Sequence, residues 1–313
     1  MTTLVLAQNN HGKSSDTNSR LISAALQLGS EVHVVVVENA EGTLAREIAK
    51  LKGVEQVYQI PAPGSNALAC DEPAASLRPL MERAHALIAS NGAPERDILL
   101  RLAAWMKIPA LTGISALPEP QVFERPVYAG SLVERVRIDA AKYFLTIRTA
   151  NFDPVASQPA CSISLLEPPG SDQRIEILEV IETGNERPDL ATASLVIAGG
   201  RGVGSKENFG KLEAFADQMG AAIGASRIAV DMGWAPHHLQ VGQTGVHITP
   251  ELYIALGISG AVQHIAGIKD AGKIIAVNKD REAPIFQVAN YGLVGDLHAL
   301  LPALQKALTH KGL

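Results

Sequence analysis

The chain has 313 residues, of which 47% are hydrophobic, 19% charged and only 4% aromatic, with a formal net charge of −5. That length accommodates two domains of ordinary size, and the apolar share excludes a disordered chain. An acidic balance without any basic cluster argues against a nucleic-acid binder.

In chain order, Leu4–Ala7 reads as a strand, followed by a loop rich in Asn, Gly, Ser and Lys. A helix is predicted over Asn18–Leu28, where Leu21, Ile22, Ala25 and Leu28 share one face and Gly29 ends it. The β-branched run Val32–Val37 suits a strand buried on both faces. A helix over Thr43–Leu51 and a strand over Val54–Ile60 repeat the alternation, which predicts an α/β domain with a mostly parallel sheet. From Pro118 to Glu182 strands outnumber helices: Val122–Tyr128, Tyr143–Ile147, Cys161–Leu166 and Ile175–Val180. The expectation there is a set of antiparallel strands added to the first domain, forming a surface that packs against something else.

The polar stretch Thr183-Gly-Asn-Glu-Arg-Pro-Asp189 marks a domain boundary, giving domains over 1–186 and 187–313. Beyond it, Ala193–Gly200 is a predicted strand and Asn208–Gly220 a predicted helix. Ala221–Gly224, Val262–Ile265 and Ile274–Val277 read as further short strands. The second domain is therefore expected to be a doubly wound parallel sheet, with ligand loops at the carboxyl ends of its strands. Residues 190–313 hold 10 of the 27 basic and 9 of the 32 acidic residues, so this half is near neutral while residues 1–189 are acidic. Cys70 and Cys161 have no Cys-x-x-Cys or metal-ligand spacing, which leaves two ordinary thiols. The chain opens as a strand, without a leader pattern, and no apolar run approaches the roughly 18 residues needed to span a bilayer, so the cytoplasm is expected.

Gly199-Gly-Arg-Gly-Val-Gly204 lies between strand and helix, where backbone N–H groups attract phosphate. Its spacing is neither the dinucleotide fingerprint nor a P-loop, so phosphate binding and a plain tight turn both stay open. Arg201 adds a guanidinium suited to a diphosphate. Ser226-Arg227, at a strand's carboxyl end, is either a ligand clamp or a surface arginine paired with Asp231 one helical turn on. Val241-Gly-Gln-Thr-Gly245 and Ser259-Gly-Ala-Val-Gln-His264 set three glycines beside two hydroxyls, two glutamines and a histidine. Glycines let backbone approach a flat or anionic ligand, and the donors can address a polar ring edge. His264 alone reads as a core histidine, and the His237-His238 pair lacks an associated carboxylate for a metal site. No nucleophile elbow, triad order or carboxylate pair stands out, a pattern that favours holding a cofactor over acid–base catalysis.

These residues also carry a family resemblance. Gly199-Gly-Arg-Gly202 with Glu207-Asn-Phe209, Ala225-Ser-Arg-Ile-Ala-Val-Asp231, Val241-Gly-Gln-Thr-Gly245, Pro250-Glu-Leu-Tyr-Ile254 and Gly257-Ile-Ser-Gly-Ala-Val-Gln-His264 follow one another at family spacing. Asn278-Lys-Asp280, Ala283-Pro-Ile-Phe286, Tyr291-Gly292 and Asp296-Leu297 complete the series. Together they resemble the electron transfer flavoprotein alpha subunit across nearly all of 193–297. The first half resembles the family loosely, through its α/β start and Phe123-x-x-Pro-x-Tyr-Ala-Gly130. His247 departs from the family pattern just outside the matching motif.

The resemblance implies an electron carrier without a substrate-converting active site, in a heterodimer with a beta subunit that packs on the first domain, and FAD held by the second domain. It implies FAD contacts from Arg201, Ser226 and Arg227, with the Arg227 charge near the isoalloxazine. Val241, Gly242, Gln243 and Thr244 would line the flavin, with the Thr244 hydroxyl near N5. Ser259, Gly260, Ala261, Val262, Gln263 and His264 would wrap flavin and diphosphate, with His264 near O2. Asn278, Asp296 and Leu297 would hold the adenosine end. Acyl-CoA dehydrogenases and related flavoenzymes are the implied donors, within fatty acid β-oxidation, and a membrane electron transfer flavoprotein–quinone oxidoreductase the acceptor. A bifurcating branch of the family uses NADH and a second FAD in the beta subunit. A nicotinamide-dependent oxidoreductase is the alternative from another class; the broken fingerprint counts against it.

Overall fold

The computed structural model describes residues 1–9, 16–38, 41–61, 70–92, 94–166, 187–191 and 193–311. It divides the chain into two compact units, Met1–Glu182 and Thr183–Leu313. The predicted strand Ile175–Val180 lies outside the described residues.

The first unit runs β1 (Thr2–Leu6), α1 (Asp16–Leu26), β2 (Glu31–Glu38), α2 (Thr43–Ile48), β3 (Val54–Pro61), α3 (Asp71–Arg83), β4 (Ala86–Ser90) and α4 (Glu95–Met106). Then follow β5 (Ala110–Ile114), β6 (Ala116–Glu119), β7 (Val122–Val127), β8 (Leu132–Arg137), β9 (Tyr143–Ile147) and β10 (Ser162–Leu165). Seven strands form a parallel sheet in the order β10-β3-β2-β1-β4-β9-β5. The run on β2 is apolar apart from the half-buried His33, because both faces are covered. Val32, Val34 and Val36 enter one core with α1 and α2, whereas Val35 and Val37 enter the other with α3 and α4. The buried Glu38 carboxylate at the end of β2 accepts the backbone N–H groups of Leu44 and Ala45, each at 2.9 Å, and so caps α2.

The expectation of antiparallel additions holds for β6-β7-β8, a separate three-stranded sheet. It does not hold for β9 and β10, which join the parallel sheet. All five residues of β9 are buried, with Phe144 in one core and Leu145 in the other, so this strand requires an interior slot between β4 and β5. β10 extends the opposite edge beside β3.

The second unit runs β11 (Leu195–Gly199), α5 (Lys206–Gln218), β12 (Ala222–Ala225), α6 (Arg227–Asp231), β13 (Leu252–Leu256), α7 (Val262–Ile265), β14 (Lys273–Asn278), β15 (Tyr291–Val294) and α8 (Leu297–Lys311). Its parallel sheet has the order β12-β11-β13-β14-β15. The order reverses between β11 and β13, and the loops leaving those two strands diverge to opposite faces, which opens a crevice there. The predicted strand Val262–Ile265 is the helical turn α7 instead. His264 and Ile265 N–H groups both return to the Ala261 carbonyl, at 2.8 and 3.0 Å, and Val262 is exposed rather than in the sheet. Four residues of mixed polarity are too few to show a period, and β13 fills the slot beside β11.

Helix α5 starts at Ser205, whose hydroxyl accepts the Asn208 N–H at 3.1 Å, and buries Phe209, Leu212, Phe215 and Ala216. Gly210 sits on its exposed face, and a Cβ there would meet nothing within 4 Å. Gly210→Ala is therefore expected to stabilise the second unit by about 1 kcal/mol. Thermal denaturation checks this, and a Tm at or below that of the parent chain would contradict it.

Candidate functional site

The crevice at the carboxyl ends of β11, β12 and β13 is a cleft of about 310 Å³. Arg201, Ser226, Arg227, Ile228, Gln240, Val241, Gly242, Gln243, Thr244, Ile258, Ser259, Ala261, Gln263 and His264 line it. Thirteen residues of sequence separate its two donor-rich segments, 241–245 and 259–264, and backbone contact closes that gap. The Gln243 N–H donates to the Gln263 carbonyl at 2.7 Å, and Ile248 N–H to the Gly267 carbonyl at 2.9 Å. This approach requires glycine. A Cβ on Gly242, whose φ is +142°, would lie 2.9 Å from the Gln263 carbonyl oxygen, and one on Gly267 would lie 2.6 Å from the Gly242 Cα.

The 199–204 loop is a packing device. Gly200 and Gly202 press on the backbone of Gly257, where an added Cβ would come to 2.4 and 2.7 Å. Their N–H groups donate to Leu256 and Gly257 carbonyls at 2.9 Å, and those of Val203 and Gly204 turn back on the loop itself. Four N–H groups are thereby spent on the protein, so among the two readings the tight turn prevails. Arg201, on the same loop, remains exposed in the cleft lining and has no ion-pair partner among the described residues.

At the end of β12, Ser226 caps α6 by accepting the Ala229 N–H at 3.4 Å. Arg227 reconciles the two sequence readings: it lines the cleft, and its Nε also lies 3.5 Å from the Asp231 carboxylate one turn on. With both groups mostly solvent-exposed, the pair is weak and the arginine remains available. The 240–246 loop is stapled to β12, with Val241 N–H donating to the Ala225 carbonyl at 2.9 Å. Gln240 is buried, and its Nε2 donates to the Thr244 hydroxyl at 3.0 Å, which fixes that hydroxyl on the cleft wall. Gln240, Ile228 and Ile258 are lining residues that sequence reasoning missed; only the adjacency of Gln240 to Val241 could have pointed to it.

His264 is 7% exposed, and its Nε2 lies 2.8 Å from the Tyr253 hydroxyl. Burial pulls its pKa down to about 4, against a smaller opposing pull from the Val241 backbone. The ring is uncharged at neutral pH, so in this cleft it acts through hydrogen bonding rather than as a cation. Its Nδ1 is a buried polar atom without a bond of full geometry.

Gly260 and Val262 are not in the lining. A Cβ on Gly260, at φ +81°, would meet the Ile285 N at 2.2 Å, so its role is close packing. Asn278, Asp296 and Leu297 also stand outside the lining, at the ends of β14 and β15. The Asn278 amide donates to the Ile258 carbonyl at 2.8 Å, Asp296 accepts the His298 N–H at 2.9 Å and pairs with Lys279 at 3.0 Å, and Leu297 is buried. Among the described residues no cluster of His, Cys, Asp or Glu could hold a metal, and no helix is long and apolar enough to cross a membrane.

Comparison with known proteins assigns both units. Residues 3–172 match the electron transfer flavoprotein domain, and residues 189–269 match the electron transfer flavoprotein FAD-binding domain. The electron transfer flavoprotein subunit alpha of Pseudomonas aeruginosa is 38% identical, over 98% of this chain and 100% of its own. That of Paracoccus denitrificans is 41% identical, over 97% of this chain and 99% of its own. The probable mitochondrial counterpart of Caenorhabditis elegans is 38% identical, over 98% of this chain and 93% of its own. The chain belongs to the electron transfer flavoprotein alpha-subunit family, and its second unit carries that family's FAD-binding domain.

Proposed function

We propose that this chain is the FAD-holding subunit of a cytoplasmic electron carrier, a heterodimer with an electron transfer flavoprotein beta subunit. In this reading it takes electrons from acyl-CoA dehydrogenases and related flavoenzymes and delivers them to a membrane quinone oxidoreductase. The observation that carries the reading is the cleft at the reversal of strand order, which gathers the two donor-rich segments and two arginines, its histidine hydrogen-bonded to Tyr253 rather than to a hydroxyl of the lining. FAD supplies the electron chemistry when bound, and the protein's task is to hold and tune it. The residues fit that group: glycine-mediated backbone contact gives a flat wall, Ile228 and Ile258 give apolar contact, and His264 Nδ1 is a buried polar atom lacking a partner.

Within this reading Arg201 and Arg227 supply positive charge for the diphosphate and for the ring edge that becomes electron-rich. Ser226, Gln243, Thr244, Ser259 and Gln263 supply hydrogen-bonding groups, Val241, Gly242 and Ala261 shape the walls, and Gly260 and Val262 support them from outside the lining. Asn278, Asp296 and Leu297 take the adenosine end, at the neighbouring strand ends. The first unit supplies the surface for the beta subunit. Co-expression with a beta subunit is expected to give a yellow complex that an acyl-CoA dehydrogenase and its substrate bleach. A colourless complex would refute the FAD assignment; bleaching by NADH alone would refute the donor assignment and point to the bifurcating branch.

A further inference from the structure

The partner of His264 has a consequence for the cleft that rests on the FAD reading above. Tyr253 lies in the middle of β13, fully buried, on the face it shares with Val196, Ala198, Ala255, Ile268 and Ile274. Among the described residues its hydroxyl has one hydrogen-bond partner, His264 Nε2 at 2.8 Å, with the rings tilted at 44°. We propose that Tyr253 is a positioning residue that locks His264 as the Nδ1–H tautomer, so that α7 presents a donor at the flavin site.

A neutral imidazole carries one N–H and one bare nitrogen, and a phenol needs an acceptor for its proton. Burial raises the Tyr253 pKa far above its ordinary value, so the phenol keeps that proton. Burial likewise keeps the imidazole neutral. Were Nε2 the protonated nitrogen, it would donate to the phenol oxygen and leave the phenol hydrogen buried without an acceptor. Were Nε2 bare, the phenol hydrogen is satisfied and the ring proton moves to Nδ1. The second arrangement pairs the phenol hydrogen and leaves the ring N–H as the buried donor still to be satisfied, on a ring that the Val241 backbone approaches and that lines the cleft. Nδ1 makes no bond of full geometry there, which leaves its N–H available to an acceptor on the flavin edge. Tyr253 itself touches no ligand. It acts eleven residues upstream, through the ring it orients.

The test uses the heterodimer with FAD bound and ¹⁵N-labelled histidine, with His264→Gln assigning the resonances. In the parent protein Nδ1 is expected to show the shift of a protonated ring nitrogen and Nε2 that of a bare one. Tyr253→Phe keeps the ring packing and removes only the hydroxyl. It should move both shifts towards a tautomer mixture, make the midpoint potential of the bound FAD more negative and weaken FAD binding about tenfold. A parent protein protonated at Nε2 would overturn the proposal. So would a Tyr253→Phe variant with unchanged shifts and potential, the result a purely packing role predicts. A parent complex that binds no FAD would instead sink the functional reading, and its imidazole shifts would still decide the tautomer.

Discussion

Replacing Gly267 with alanine is expected to cost at least a hundredfold in FAD affinity, although Gly267 is outside the cleft lining. The added Cβ would lie 2.6 Å from both the Cα and the N of Gly242. Those atoms are backbone, so no side chain can rotate out of the way. The strain must be relieved by parting α7 from the 241–245 loop, which breaks the Gln243–Gln263 and Ile248–Gly267 hydrogen bonds that join the walls. Overpacking of this kind costs about 3 kcal/mol, which is about a hundredfold in a binding constant. Gly267 needs no positive φ, so the effect isolates steric separation from backbone conformation. Titration with FAD and thermal denaturation together decide the outcome. Unchanged affinity with unchanged Tm would show that the walls are not held at this point.

The site was legible in the sequence wherever its chemistry is carried by composition. Glycines beside hydroxyls and amides at 241–245 and 259–264 announce backbone approach plus donors, and the cleft brings both segments together. The strands of the first unit were legible where residues such as Val34 and Val35 face two cores at once. What sequence could not carry is partnership across space. His264 in isolation looks like a core histidine, and it is one by burial. Its relation to Tyr253 exists only because α7 lies over the face of the sheet to which β13 turns Tyr253. The same limit explains the glycine-rich 199–204 loop, in which the Gly200 and Gly202 N–H groups are claimed by Leu256 and Gly257 at the end of a strand more than fifty residues on. It also explains β9 and β10, since local alternation does not reveal whether a strand enters an existing parallel sheet or starts a new antiparallel one.

The other large effect is expected in the first unit, at Glu95 in the opening turn of α4. This carboxyl is 4% exposed, with Oε1 at 3.4 Å from the Asn9 N–H and Oε2 without a hydrogen-bond partner. The Ser90 hydroxyl lies close enough to favour ionisation, yet it also lacks a bond of full geometry. Burial therefore dominates and raises the pKa from 4.5 to about 7. The unfolded chain releases this proton near pH 4.5, whereas the folded chain holds it to about pH 7. Stability contributed by the neutral carboxyl is thus complete below pH 4.5, falls as pH rises from there to about 7, and is flat above. A rise of that size corresponds to roughly 3 kcal/mol. Glu95→Gln keeps the shape, offers an amide that can donate to Ser90, and carries no proton to lose. The variant should therefore be more stable than the parent by an amount that grows across pH 4.5–7 and reaches roughly 3 kcal/mol at pH 8. Denaturant unfolding followed at Trp105, which lies on α4 itself, in a Trp234→Phe background, measures that difference. Parallel stability curves for the two chains from pH 5 to 8 would mean that Glu95 is ionised in the folded state, with a counter-charge or water that satisfies Oε2.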